Sequence, residues 1–326
     1  MLRRLPPEIW HTLTVALVVS VPFGCAESDI REYRQHDIPI TSIAFLSDAQ
    51  RVAAADMSGG ITVRELTSGE VVQTLEPANE DDVVFSLAAT PDGRRVAAPS
   101  VFGEIVIWNL ERGTVEDVLI EDDNAVTAVG ISPDGRWMLS GGTDGALRKW
   151  DLEQREVSFV LEGHEGTIRR ISFSPCGLYA ATASYDRTAR LWDVQNRKLL
   201  DTFEHEDRVT GVAYAPQGDA IVSRAGGMAR LWSLEVGEVV QTFQMRDDRI
   251  VEVASAPDGR FIVSGTRYGA LAVWDVNSGE KVAFTEATRY PETFSALAAS
   301  PDGERAVAGT DGGKLIVWEL SEVLPQ

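Results

Sequence analysis

Six tryptophans, Trp108, Trp150, Trp192, Trp232, Trp274 and Trp318, recur along this 326-residue chain at intervals of 42, 42, 40, 42 and 44 residues. Counting back another 44 positions from Trp108 reaches Arg64, in the segment "ITVREL", which has the shape of "EIVIWNL", "ARLWDV", "LAVWDV" and "LIVWEL". The chain therefore carries seven copies of one unit. A period of about 40–45 residues marks a supersecondary unit that cannot bury its apolar face alone and does so by stacking on its neighbours.

A second marker runs in phase with the first. A Pro-Gly turn occurs as "TPDG" (90–93), "SPDG" (132–135), "SPCG" (174–177), "APQG" (215–218), "APDG" (256–259) and "SPDG" (300–303), with a degraded "LSDAQ" at 46–50. Proline at the second position fixes φ, and glycine at the fourth closes a tight reversal. The runs on either side, such as "TIRRISF" and "YAATAS", are only about 5–7 residues long and mix β-branched and aromatic side chains, which is strand rather than helix. A third run leads into the tryptophan ("TARLW") and a fourth follows it ("KLLDTFE", "EVVQTFQ"). Each unit is thus four short antiparallel strands, and no helical period longer than two turns appears after residue 26.

The pair Gly163-His164, the turn "SPCG" and the run "ASYDRTARLWD" ending at Asp193 resemble the WD40 family, and the resemblance covers roughly residues 29–320. It implies an all-β fold, a seven-bladed β-propeller with four antiparallel strands per blade around a central channel. Individual repeats depart from the family pattern. The Trp-Asp pair is intact only at Trp150-Asp151, Trp192-Asp193 and Trp274-Asp275; its second member becomes Asn109, Ser233 and Glu319 elsewhere, and the first repeat has Arg64-Glu65. In the family the "GH" histidine bonds inside its blade with an Asp, a Ser/Thr and the Trp. The matching residues are His164, Ser184, Asp186 and Trp192, so blade four alone would hold the full set. Arg224 stands where blade five would keep its network serine. After Trp318 only "ELSEVLPQ" follows, whereas Ile30 to Gln35 ("IREYRQ") look like a fourth strand placed before the first repeat. That N-terminal strand (about 30–35) is expected to pair into blade seven and close the ring, removing exposed edges.

Residues 1–26 read as a leader, and residues 27–326 as the propeller. Arg3 and Arg4 precede an apolar stretch from Ile9 to Phe23, which is shorter than the roughly 20 residues that span a bilayer. With Gly24 and Ala26 as a small-x-small site, the pattern is that of a secretory signal peptide, and the protein is expected to be extracytoplasmic. The alternatives are an uncleaved anchor or an apolar tail on a cytoplasmic protein. Cys25 would suit a lipid anchor, but Pro22 and Phe23 stand where such sites want a small apolar pair.

The formal net charge is −20, and removing the leader (two Arg, one Glu) makes it −21. Such a chain repels phosphate backbones and anionic lipid surfaces. Nucleic acid is excluded as a partner, and membrane contact is confined to an N-terminal anchor. The second cysteine, Cys176, fills a turn slot usually held by Asp in its sister repeats. A fold of about 300 residues buries enough core to need no disulfide.

Few residues offer chemistry. Of four histidines, His11 lies in the leader, while His36, His164 and His205 each stand eleven residues before the turn's proline slot and so belong to the blades. None is free for a triad, a metal or general-base work. Cys176 lacks a base partner, and there is neither a P-loop nor a metal-spaced Cys/His cluster. No cofactor, metal or catalytic residue is expected.

Carboxylates are phase-locked. Asp37, Asp81, Asp123, Glu165, Glu206 and Asp247 stand ten places before the proline slot in repeats one to six, and Pro291 breaks the series in repeat seven. Equal phase means equal height, so these acids should ring one face of the disc. Two readings stand: an exposed inter-blade turn where acids are ordinary, or a ring that attracts a basic partner or cations. A glycosidase-like acid pair fits poorly, because ring symmetry spreads the groups beyond the roughly 5–9 Å it requires.

Inside that ring, the resemblance places partner-contacting side chains around the channel mouth, among them Phe85 on blade two, Arg169 and Tyr185 on blade four, Arg208 on blade five, and Arg249 and Arg267 on blade six. Arg and Tyr are enriched in binding hot spots, and a local positive patch could receive a carboxylate or an acidic peptide bidentately. The competing reading is that these arginines neutralise the acid ring through surface ion pairs of little individual worth. The chain is accordingly expected to be a non-catalytic protein-protein interaction scaffold, a monomeric propeller within a complex. The alternatives are a structural or sensory subunit of a membrane-anchored complex, or a propeller enzyme working through carboxylates.

Overall fold

In the computed structural model the described residues are 17–18, 30–34, 38–77, 79, 82–120, 124–246, 248–256, 259–286 and 292–323. They form seven antiparallel sheets, six of four strands and one of five. Blade four shows the pattern: Ile168–Phe173 pairs with Tyr179–Ser184, which pairs with Thr188–Asp193, which pairs with Lys198–Glu204. The only described helix is the single turn Leu320–Val323.

The strands alternate as a two-sided sheet must. In Tyr179–Ser184 every residue after the first is buried, because both faces of this middle strand meet a neighbouring blade. The outermost strands, such as Lys198–Glu204, keep one side in solvent. The turns behave as their prolines and glycines predict: Gly135 and Gly177 take φ of +71° and +72°. In the degraded first turn Ala49 is forced to +55°, a conformation that disfavours a side chain.

Adjacent blades share cores. Ala128, Leu139, Leu147 and Leu161 of blade three pack with Ile168, Ile171, Ala180 and Trp192 of blade four. Small residues permit this approach: a Cβ on Gly141 would come within 2.9 Å of Ile168, and one on Gly309 within 2.5 Å of Ile40. Hydrogen bonds cross the same seams near the axis. Ser42 Oγ accepts from Leu87 N at 2.9 Å, Ser172 Oγ accepts from Tyr214 N at 3.1 Å, and Thr127 Oγ1 donates to the Ile168 carbonyl at 2.5 Å.

The ring closes as the sequence predicts. Arg31–Arg34 pairs antiparallel with Lys314–Glu319, with Arg31 opposite Val317 and Arg34 opposite Lys314. This supplies the fourth strand of blade seven, and Leu17–Val18 adds a short fifth. Tyr33 holds the closure: it is 3% exposed, packs with Val307 and Leu315 of blade seven and Leu66 of blade one, and its hydroxyl donates to the Leu66 carbonyl at 2.8 Å. Apart from Leu17–Val18, the leader lies outside the described residues. Tyr33→Ala removes a buried aromatic ring from the closing seam and should destabilise the whole ring by about 3–5 kcal/mol. Urea unfolding should show one shifted transition rather than a separate early loss of blade seven.

Candidate functional site

Blade four carries the internal network foreseen around His164, with one residue changed. Trp192 Nε1 donates to Thr182 Oγ1 at 2.8 Å, Thr182 Oγ1 lies 2.6 Å from His164 Nε2, and His164 Nδ1 lies 2.7 Å from Asp186 Oδ2. One proton arrangement satisfies this chain: a neutral imidazole protonated at Nδ1, donating to Asp186 and accepting from Thr182. Burial pulls the His164 pKa down, consistent with that neutral form. Burial alone would raise Asp186, but bonds from Thr188 and His164 hold it at about 2.

The hydroxyl of the network is therefore Thr182, not Ser184. Ser184 lies two residues on, at the strand end, where its Oγ donates to the Gly166 carbonyl at 2.9 Å and accepts from Asp186 N at 3.1 Å. It caps the turn that presents Asp186. The same correction moves Arg224 out of the network. In blade five Ser223 Oγ accepts from Trp232 Nε1 at 2.8 Å and bonds His205 Nε2 at 2.9 Å. The network thus survives beyond blade four, but blade five has lost its aspartate. Burial, assisted by Arg230 and opposed by Glu206, pushes His205 down to about 4.

Ser140 and Ser264 accept from Trp150 and Trp274 at 2.9 and 2.8 Å, so blades three to six all retain the Trp-hydroxyl bond. Ala308 holds the equivalent place in blade seven, opposite Leu297 and Ile316, and the buried Trp318 Nε1 has no partner among the described residues.

Of the foreseen acid ring, Asp37, Asp81, Asp123 and Asp247 lie outside the described residues. Glu165 and Glu206 are exposed, and Glu206 pairs with Arg230 at 2.8 Å. The acids one place further on cap their own turns: Asp82, Asp207 and Asp248 accept from the next backbone N–H at 2.9, 2.8 and 2.6 Å. Among the described residues no group of three or more His, Cys, Asp or Glu is placed to hold a metal. The Cys176 thiol takes the aspartate's part in its turn, 3.3 Å from Ser174 Oγ, and that bond lowers its pKa.

The channel mouth gathers the foreseen partner-contacting residues. Arg169 Cζ lies 4.9 Å from the Phe85 ring centroid and 5.6 Å from that of Tyr185, so it reaches across the channel from blade four to blade two. Arg208 Cζ lies 5.0 Å from the centroid of the same Tyr185 ring. Arg208, Arg249 and Arg267 line a cavity of about 460 Å³ with Tyr185 and Asp207. A second hollow of about 450 Å³ runs outward from Arg249 and Arg267 past Tyr268 and Met245.

None of Arg169, Arg208, Arg249 and Arg267 has a carboxylate within 4.0 Å among the described residues. Arginines elsewhere on the disc contrast with this: Arg95, Arg136, Arg155, Arg230 and Arg305 each have one. A cavity of about 480 Å³ between blades two and three is likewise lined by charges already paired, Arg95 with Glu116 at 2.8 Å and Arg155 with Asp117 at 3.0 Å.

Sequence reasoning missed the layer beneath the mouth. There a cavity of about 200 Å³ is lined by Phe85, Arg169, Arg170, Tyr185, Thr210, Arg224 and Glu252, with Thr41 and Ser295 completing it. Glu252 lies 3.4 Å from Arg170 and 3.9 Å from Arg224. The signal was Arg224, which counting back from the tryptophan sets in the place of the network serine. Its strand position is Ala55, Pro99, Gly141, Ala183, Gly265 and Gly309 in the other six blades.

Comparison with known proteins agrees with this architecture. The family model described as "WD domain, G-beta repeat" matches residues 114–151, 155–193, 197–233 and 237–275. These four repeats end at or just after Trp150, Trp192, Trp232 and Trp274, the tryptophans whose indole meets a Ser or Thr. An uncharacterized WD repeat-containing protein of Synechocystis is 36% identical over 63 residues, 19% of this chain and 18% of that protein. A DDB1- and CUL4-associated factor 11 homolog of Caenorhabditis elegans is 30% identical over 92 residues, 26% of this chain and 16% of its own. Nuclear distribution protein nudF of Aspergillus niger is 32% identical over 81 residues, 24% of this chain and 18% of its own. The chain spans less than a fifth of each of these relatives.

Two outcomes follow from the blade networks. Ala308→Ser should give Trp318 Nε1 an acceptor and stabilise the fold by about 1 kcal/mol in urea unfolding. His205 titrates at about 6.5 when unfolded and at about 4 when folded, so its contribution to stability is complete above pH 6.5 and falls away as pH drops toward 4. The slope in that window should stay below about 1.4 kcal/mol per pH unit, since His205 is only partly buried, and His205→Gln should flatten it.

Proposed function

From a chain that belongs to the WD40-repeat family, whose propellers generally serve as protein-interaction scaffolds, we propose a docking platform that receives an acidic segment of a protein partner at the channel mouth of blades four to six. The observation that carries this reading is the set of mouth arginines that, among the described residues, have no carboxylate partner, in a chain of net charge −20. Guanidinium groups stacked on Phe85 and Tyr185 are held in place while their N–H edges remain available. That combination of rigid aromatic and forked donor is what a carboxylate-bearing hot spot needs.

The platform acts by binding rather than by chemistry. His164 and His205 are engaged within their blades, which leaves neither for proton transfer at the mouth. Arg3, Arg4, the apolar stretch Ile9 to Phe23 and the Gly24-to-Ala26 site support an exported protein. Intact mass of the mature N-terminus would report cleavage, retention or acylation at Cys25.

The deciding experiment is affinity capture from cells that make the protein, using the wild-type chain beside a variant carrying Arg169→Glu, Arg208→Glu and Arg249→Glu. A partner held by the first should be depleted at least about tenfold on the second, since each charge reversal replaces attraction by repulsion. A partner retained equally by both sinks the reading and moves the working surface to another face.

A further inference from the structure

Six blades place Ala, Pro or Gly where blade five has Arg224. Arg224 has an empty neighbour to match. Its strand partner is Gly211, and a Cβ there would meet Arg224 Cβ and Nε at 3.5 Å. The guanidinium lines the channel cavity with Arg170 and Glu252. Burial pulls its pKa down and Glu252 opposes that shift; an arginine remains charged even so.

Two donors in this cavity have no acceptor among the described residues. Arg224 Nε and Thr210 Oγ1 are both buried and unpartnered. The equivalents of Thr210 show that this is particular to blade five: Thr127 donates to the Ile168 carbonyl and Ser295 to the Ile40 carbonyl. Buried donors are expected to be satisfied. The cavity also carries excess positive charge, the guanidinium groups of Arg169, Arg170 and Arg224 against the single carboxylate of Glu252. One carboxylate, with two acceptor oxygens, would meet both donors and offset part of that charge.

We propose that the channel is a carboxylate-receiving subsite, in which a Glu or Asp side chain of the docked protein segment passes the Arg169–Tyr185 stack and seats against Arg224 and Thr210. This deepens the docking reading above and rests on it. Glu252 bridges Arg170 and Arg224, and the incoming carboxylate competes with it for them.

A fluorescein-labelled hexaglutamate peptide, followed by fluorescence anisotropy on the full chain, tests this. Arg224→Met keeps length without charge and should weaken binding at least about tenfold, the loss expected of one charge-assisted bond. Glu252→Gln frees both arginines and should tighten binding, a gain that misfolding cannot mimic. Equal binding by wild type and Arg224→Met, or weaker binding by Glu252→Gln, overturns the subsite. So does wild type failing to bind hexaglutamate at all. A phosphoserine peptide of equal length that binds more tightly, and in an Arg224-dependent way, also overturns it by giving the cavity to phosphate. These outcomes are separable from the docking reading, which stands or falls on the captured partner and the mouth variant.

Discussion

The contact on which the molecule depends is face-to-face packing of one blade on the next, repeated until it meets itself. No blade has an interior of its own: the buried residues divide into clusters that straddle blade boundaries, as Leu139 and Leu147 do with Ile168 and Trp192. That demand explains why the middle strands carry small residues. Gly141, Gly265 and Gly309 each leave room for the first inner residue of the following blade, Ile168, Phe294 and Ile40. A larger side chain there would wedge the seam, and close-packed interiors yield little to added volume. The last seam is made by chain from the other end, through Tyr33, so the ring is locked only when residues 31–34 dock beside Lys314–Glu319.

This constraint is also why so much of the fold was legible. Seven units under the same packing demand must repeat the same pattern, and repetition averages out the errors of reading any single strand. The turns, the four-strand unit and the closing strand Arg31–Arg34 all follow from period and phase. Reading failed where two residues of one unit look alike. Ser184 and Thr182 stand two apart, so their side chains share a face of the strand. Only height separates them: Thr182 lies level with the Trp192 indole, and Ser184 lies at the strand end beside Gly166.

Blade five shows a second kind of illegibility. Its middle hairpin turns on Gly226 and Gly227, both at positive φ (+61° and +88°), the two-residue geometry that glycine pairs favour. Blade four uses the longer Tyr185-Asp186-Arg187 connection. Counting back from the tryptophan therefore slips by one residue in blade five, and a side chain counted into the internal network faces the channel instead. Strand register confirms the slip: Ser223 opposes Arg230 as Thr182 opposes Arg190, and Arg224 takes the place of Ala183. The buried charges of the channel could not be read from the sequence, because they depend on a register set by the length of one turn.

The electrostatics follow the same division between what repeats and what does not. Much of the acidity is structural. Asp151, Asp193 and Asp275 accept backbone N–H groups two and three residues on, and Asp92 and Asp134 in the Pro-Gly turns accept the one two residues on. Those bonds hold the carboxyls of Asp151 and Asp275 below their usual range, which means the ionised form is what the turns require. These turns account for part of the chain's acidity. Arg169 and Arg267 belong to no repeating pattern, Arg208 and Arg249 share a position in blades five and six alone, and Arg224 breaks a pattern. In a ring whose shared positions are committed to packing and turn capping, the proposed docking surface uses residues that one or two blades have and their sisters lack. Blades four to six are where this chain concentrates them.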